Sequence, residues 1–163
     1  VRPITEQQLR RSFVNCSRGE ADAMTLPRTF AATPCDELVV LGWRDPEAPL
    51  RGYLVVERDG QPVGVAVRAA DTRMSSATPA MCPLCQTAQS GSDVSLFTAR
   101  RKGDAGRDGN TVGTYICADL ACAIRARTEI PPWLRERDPD EVAAERTAEL
   151  EQRVRGFLDA VLR

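Results

Sequence analysis

The sequence holds six cysteines and no histidine, and four of the cysteines stand as two close pairs. Cys82 and Cys85 enclose Pro83-Leu84, while Cys117 and Cys122 enclose "ADLA". Between the pairs, "DVSLFTARR" and "TVGTYI" alternate like strands around the polar "KGDAGRDGN", which reads as a β-hairpin. A hairpin that brings two such pairs together can set four thiolates tetrahedrally around one zinc ion, at about 2.3 Å each.

Other chemistries fit less well. A redox pair needs its Cys-x-x-Cys after a strand and before a helix, whereas this one precedes a strand. Disulfides are uncommon in the cytoplasm, where the rest of the sequence points. Four thiolates also accommodate iron, but zinc is the leading reading, and with Cys82, Cys85, Cys117 and Cys122 as ligands no position remains open for catalytic water. Cys16 and Cys35 belong to no close pair. Cys16 reads as a core thiol, Cys35 as a loop residue, and both are expected to be dispensable for metal.

The elements that must carry these residues are marked by their ends. Asp119 can cap a helix with Cys122 in its first turn, stopped by Pro131-Pro132. A knuckle, a hairpin and a helix bearing the last ligand make a treble clef. Upstream, Thr5/Gln8 and Ser17/Glu20 are capping boxes for two short helices, and Leu9, Phe13 and Cys16 share one helical face. "RGYLVVER", Asp59-Gly60 and "QPVGVAVR" form a tight hairpin, with Pro62 predicting an edge or bulge. Asp138-Pro139 opens a last helix, whose Val142, Leu150, Val154, Phe157 and Val161 make an apolar stripe.

The expected fold is therefore α+β: a small antiparallel β lobe with N-terminal helices over 1–80, and a four-cysteine treble-clef zinc finger with a C-terminal helix over 81–163, packed as one unit. The lobe around Tyr53 to Val67 is expected to survive loss of the finger. A chain of 163 residues buries roughly two-thirds of its unfolded surface. With 22 basic and 23 acidic residues it has no global field for DNA or membrane, and no apolar run long enough for a span. A soluble cytoplasmic protein is expected. Without histidine or an open metal position, and with no recognisable nucleophile and base, an enzyme is disfavoured.

The order "LGWRD", hairpin, "CPLC", "VSLF", polar turn, "TYIC" and C-x4-C, over roughly 36–126, resembles the elongation factor G-binding, fusidic-acid-resistance (FusB-like) family. The resemblance implies a zinc-finger domain that docks on the translational GTPase elongation factor G and promotes its release from the ribosome, with fusidic acid resistance a further step. It describes a reduced, single-domain relative. Zinc is the implied cofactor and elongation factor G the partner, with the ribosome as a second one.

On this reading the contact surface is Arg100, Arg101, Lys102, Thr111 and Tyr115 on the hairpin, flanked by Met81 and Trp133, because cations and aromatics carry interface energy. Two alternatives stand beside it. Arg100, Arg101, Lys102 and Arg107 would offset the formal charge of −2 on a zinc tetrathiolate, or the hairpin would bind RNA or the ribosome directly.

Overall fold

The computed structural model describes residues 4–30 and 38–163; Cys35 lies outside them. Both capping boxes form. Thr5 caps α1 (Glu6–Arg11) with Gln8 closing the box, and Ser17 caps α2 (Arg18–Asp22) with Glu20. The first helix ends sooner than the spacing of Leu9, Phe13 and Cys16 implied. Phe13 lies beyond it, bridged in parallel to Gly64, because backbone bonding to the strand at Gly64 competes with another helical turn.

Strands β1 (Val40–Arg44), β2 (Arg51–Arg58) and β3 (Gln61–Ala69) form an antiparallel meander. Asp59 and Gly60 both take positive φ, 51° and 74°, as a two-residue type I′ turn requires. Pro62 is tolerated because only the last two residues of β3 pair onward, Arg68 with Thr98 and Ala69 with Phe97. At Pro62 the strand is an edge.

The onward pairing joins the two halves of the sequence. β6 (Val94–Arg100) adds to β3, and β7 (Thr111–Cys117) adds to β6, giving one sheet in the order β1-β2-β3-β6-β7. A separate two-stranded ribbon, β4 (Pro79–Met81) with β5 (Ala88–Ser90), frames the first cysteine pair. The polar turn holds one turn of helix, α3 (Asp104–Arg107). Helix α4 (Cys122–Thr128) and the long α5 (Pro139–Leu162) pack on each other, α4 against β1 and α5 against β7.

The predicted stripe on α5 is buried, and Asp138 accepts from the amides of Asp140 and Glu141 at its start. One core cluster holds Val40, Leu54 and Val67 together with Phe97, Ile116 and all four paired cysteines. Among the described residues, no helix is long and apolar enough to cross a membrane.

Candidate metal centre

Each thiol of the two pairs is placed by a local turn. Cys82 directly follows β4 of the ribbon, and the Gln86 amide returns to its carbonyl at 2.8 Å, closing the knuckle. Gln86 then takes φ 53° to send the chain into β5, a left-handed conformation that non-glycine residues adopt at a cost. Cys117 is the last residue of β7, and Leu120, at φ 61°, turns the chain so that Cys122 becomes the first residue of α4.

Leu120 also seats that turn on the sheet. A Cβ at Gly42 would stand 2.4 Å from the Leu120 carbonyl oxygen, and one at Gly52 would stand 2.5 Å from its Cδ1. The two glycines of β1 and β2 thus open the socket into which the second cysteine turn fits. Asp119 is not the helix cap, which is Ala121. It accepts from the Ala121 amide and forms a forked ion pair with Arg125, bracing the turn from outside.

The four sulfurs lie within 4.8 Å of one another, and all four residues are buried. Cys82 Sγ is 3.7 Å from Cys122 Sγ, and Cys85 Sγ is 3.5 Å from Cys117 Sγ. Four sulfurs at tetrahedral corners around zinc stand about 3.8 Å apart, given zinc–sulfur bonds near 2.3 Å. The donor set therefore fits the ion in kind, number and spacing.

Thiols packed this closely cannot ionise independently. Hydrogen bonds from Cys117 and Cys122 draw Cys82 down to about 7 and hold Cys85 far below the ordinary thiol range, while the same contacts push Cys122 far up. A divalent cation lets all four become thiolates at once, releasing protons as it binds.

Residues outside the cysteines complete the centre. Gln89 Nε2 donates to Cys117 Sγ at 3.2 Å. Arg146 of α5, only 8% exposed, donates through Nη2 to the Cys85 carbonyl and Thr87 Oγ1, both at 3.1 Å, and through Nε to the Ala126 carbonyl. Arg153 reaches the Leu84 carbonyl at 3.1 Å. Across the sheet, Arg44 donates to the Ala118 carbonyl and lies 5.5 Å over the Phe97 ring.

Arg44, Arg146 and Arg153 thus tie down the backbone carbonyls of the two cysteine turns, whereas one of the alternatives read from sequence had hairpin cations offset the charge of the metal site. Of the hairpin cations, Arg100 pairs with Glu20, Arg107 pairs with Asp104, and Arg101 donates to the Ala160 carbonyl near the end of α5. Arg100 is the last residue of β6, and Arg101 and Arg107 follow it by one and seven residues, so all three are committed at the end of the strand away from the cysteines.

The predicted contact residues fall into two groups. Arg100 and Thr111 are paired at the far end of β6–β7, whereas Cys117 pairs with Val94 at the zinc end, about 20 Å away at strand rise. Arg101 and Lys102 follow at that far end, where the Lys102 amide bonds the Val161 carbonyl. Met81 pairs with Ala88, and Trp133 lines a hollow with Ala88 and Gln86 beside the knuckle. Tyr115 lies between the groups, opposite Leu96.

Cys16 stands outside the four-thiol cluster. Burial pushes its thiol up to about 11, so it stays protonated and inert at neutral pH. Alanine at Cys16 and Cys35 together is expected to leave the zinc content unchanged by elemental analysis; lost zinc would show that the first half of the chain shares the site.

No curated protein matches the chain. A solved structure, that of the fusidic acid resistance protein FusC, aligns with it at a TM-score of 0.59 and 16% identity, covering 100% of this chain and 60% of that one. The present chain thus spans 60% of the length of FusC, and the likeness is one of fold. The family model described as FBP C-terminal treble-clef zinc-finger matches residues 8–161, from within the first helix almost to the end of the last. Zinc is the cofactor that this fold takes, and the chain belongs to the FBP C-terminal treble-clef zinc-finger family.

Proposed function

We propose that the chain is a zinc-dependent binding module, with Cys82, Cys85, Cys117 and Cys122 as the ligands, that docks on elongation factor G and modulates its release from the ribosome. The partner rests on the family resemblance and on the likeness to a fusidic acid resistance protein; resistance would follow from that release. Bound zinc supplies no reaction here but fixes the knuckle, the sheet end and α4 as one rigid surface.

One observation carries the docking role. All four large apolar side chains that the described residues expose belong to the zinc-finger half: Met81 at 52%, Tyr115 at 44%, Ile124 at 54% and Trp133 at 71%. Exposed aromatic and Met side chains beside a rigid frame are what interface anchors look like. Three of the four are among the contact residues read from sequence. Ile124, two residues past the last cysteine, joins them.

The test is retention of purified elongation factor G on the zinc-loaded protein. Alanine at Trp133 or Tyr115 is expected to weaken binding by about 1–3 kcal/mol. Glutamate at Lys102 is expected to slow association; Arg101 is the poorer choice because its substitution also strips the Ala160 carbonyl of its donor. Zinc is measured on every variant, since a collapsed finger would mimic a lost contact. Unchanged binding in all three variants refutes the surface. A parent that ignores elongation factor G but holds ribosomal RNA with a steep salt dependence moves the function to RNA.

A further inference from the structure

Away from the zinc centre, the other side of the sheet carries a charge arrangement that the fold does not need. Arg51 of β2 and Arg68 of β3 stand directly opposite each other in register. Like charges so placed destabilise a sheet, and among the described residues neither side chain has an acidic partner or a hydrogen bond. Both open into a cavity of about 320 Å³, which also reaches Tyr53, Ala66 and Thr98. That volume lies at the lower end of small-molecule sites.

The cavity exists because β3 and β6 part company. They pair only at Arg68–Thr98 and Ala69–Phe97. Beyond that point the buried Asn15 enters between them, accepting from the Ala66 amide and donating to the carbonyls of Ala66 and Arg100. The row across the sheet runs Arg51, Arg68, Thr98, Gly113, so it ends in a residue with no side chain to close it. Arg100 and Glu20 at the rim neutralise each other at 2.5 Å. An excess of two positive charges remains over a floor of Tyr53 and Ala66.

We infer that this cavity is a binding site for an organic carboxylate, the Arg51–Arg68 pair forking its two oxygens while its apolar body lies on Tyr53. Two exposed arginines without acidic partners, lining one hollow from adjacent strands, offer a carboxylate paired positive charge and forked N–H donors. A nucleic-acid backbone would instead need a stripe of unpaired cations, and the cations next in line, Arg100 and Arg107, are paired with acids. The inference is independent of elongation factor G binding.

Two readouts on the full, zinc-loaded chain test it. First, glutamine at Arg51 or at Arg68 is expected to raise the melting temperature of the free protein by about 1–3 °C, since it relieves the repulsion. A fall would show that the arginines support the sheet, and would overturn the proposal. Second, phenylacetate is followed by amide shifts at Tyr53, Ala66 and Thr98, with phenylacetamide and inorganic phosphate as comparison probes. Saturable binding of phenylacetate is expected, weakened about tenfold by either glutamine substitution and absent for phenylacetamide.

Equal binding of phenylacetamide, tighter binding of phosphate, or an unaltered response in both variants overturns the site. A capped Phe-Glu dipeptide identifies the source: if it outcompetes phenylacetate the carboxylate is a protein side chain, and if it does not the ligand is a free acid. Either result upholds a carboxylate site.

Discussion

Serine at Cys82 or Cys117 is expected to abolish zinc binding and to unfold far more than the finger. Structural zinc contributes on the order of 10 kcal/mol or more of apparent free energy at neutral pH, while a domain's whole stability is about 5–15 kcal/mol. The loss is therefore as large as what holds the chain folded. The sequence alone suggested that the lobe around Tyr53 to Val67 would stand without the finger. The structure argues for a wider collapse, because β3 pairs with β6 and Leu120 of the second cysteine turn fills the space left by Gly42 and Gly52. One core contains both the cysteines and the strands of the first half. Elemental analysis should find one zinc per chain in the parent and none in either variant. Amide exchange should show protection lost in β2 as well as in β6 and β7. A serine variant that keeps its zinc would refute the ligand assignment; one that loses zinc yet keeps β1–β3 fully protected would show two independent halves.

The parts of this architecture that were legible in sequence are those written in short-range chemistry. Capping boxes, the Asp59-Gly60 turn and the stripe on α5 each need only a few neighbouring residues, and each forms as read. The cysteine cluster was legible for a different reason: two close pairs have few ways to satisfy four thiols without histidine or disulfides. What stayed hidden depends on contacts between distant segments. Nothing near Gly42 or Gly52 announces Leu120, and the β3–β6 junction rests on two residue pairs and one asparagine side chain. Local spacing also misled where a long-range bond competed, as at Phe13, which leaves the helical face to join β3. The charges on the hairpin were visible, but their partners Glu20 and Ala160 were not.

Arg146 is the clearest case of a signal present but unread, and it supports the second large prediction. Residues 142, 146, 150 and 154 are spaced by one helical turn, so the apolar stripe of α5 has a gap at 146 that an arginine fills while staying buried. A buried guanidinium must satisfy its donors, and this one does so on the knuckle and on α4, through the Cys85 carbonyl, Thr87 Oγ1 and the Ala126 carbonyl. With zinc on the proposed four ligands, it would also set a positive charge, held on the Cys85 carbonyl, near a site of formal charge −2. Methionine there would preserve much of the volume and the apolar stripe but leave three buried acceptors without this donor. The expected result is a stability loss of about 2–4 kcal/mol and a fall in zinc affinity of about 10–100-fold, read by thermal melting and by competition with a chelator. Arg153, which still holds the Leu84 carbonyl, should keep the knuckle from opening outright. Methionine at the exposed Arg155, whose partner is Glu151 one turn earlier, serves as the control and should shift stability by no more than about 0.5 kcal/mol. If Arg146→Met matches that control in both measurements, α5 does not clamp the metal centre, and the order of the knuckle must come from its own turn alone.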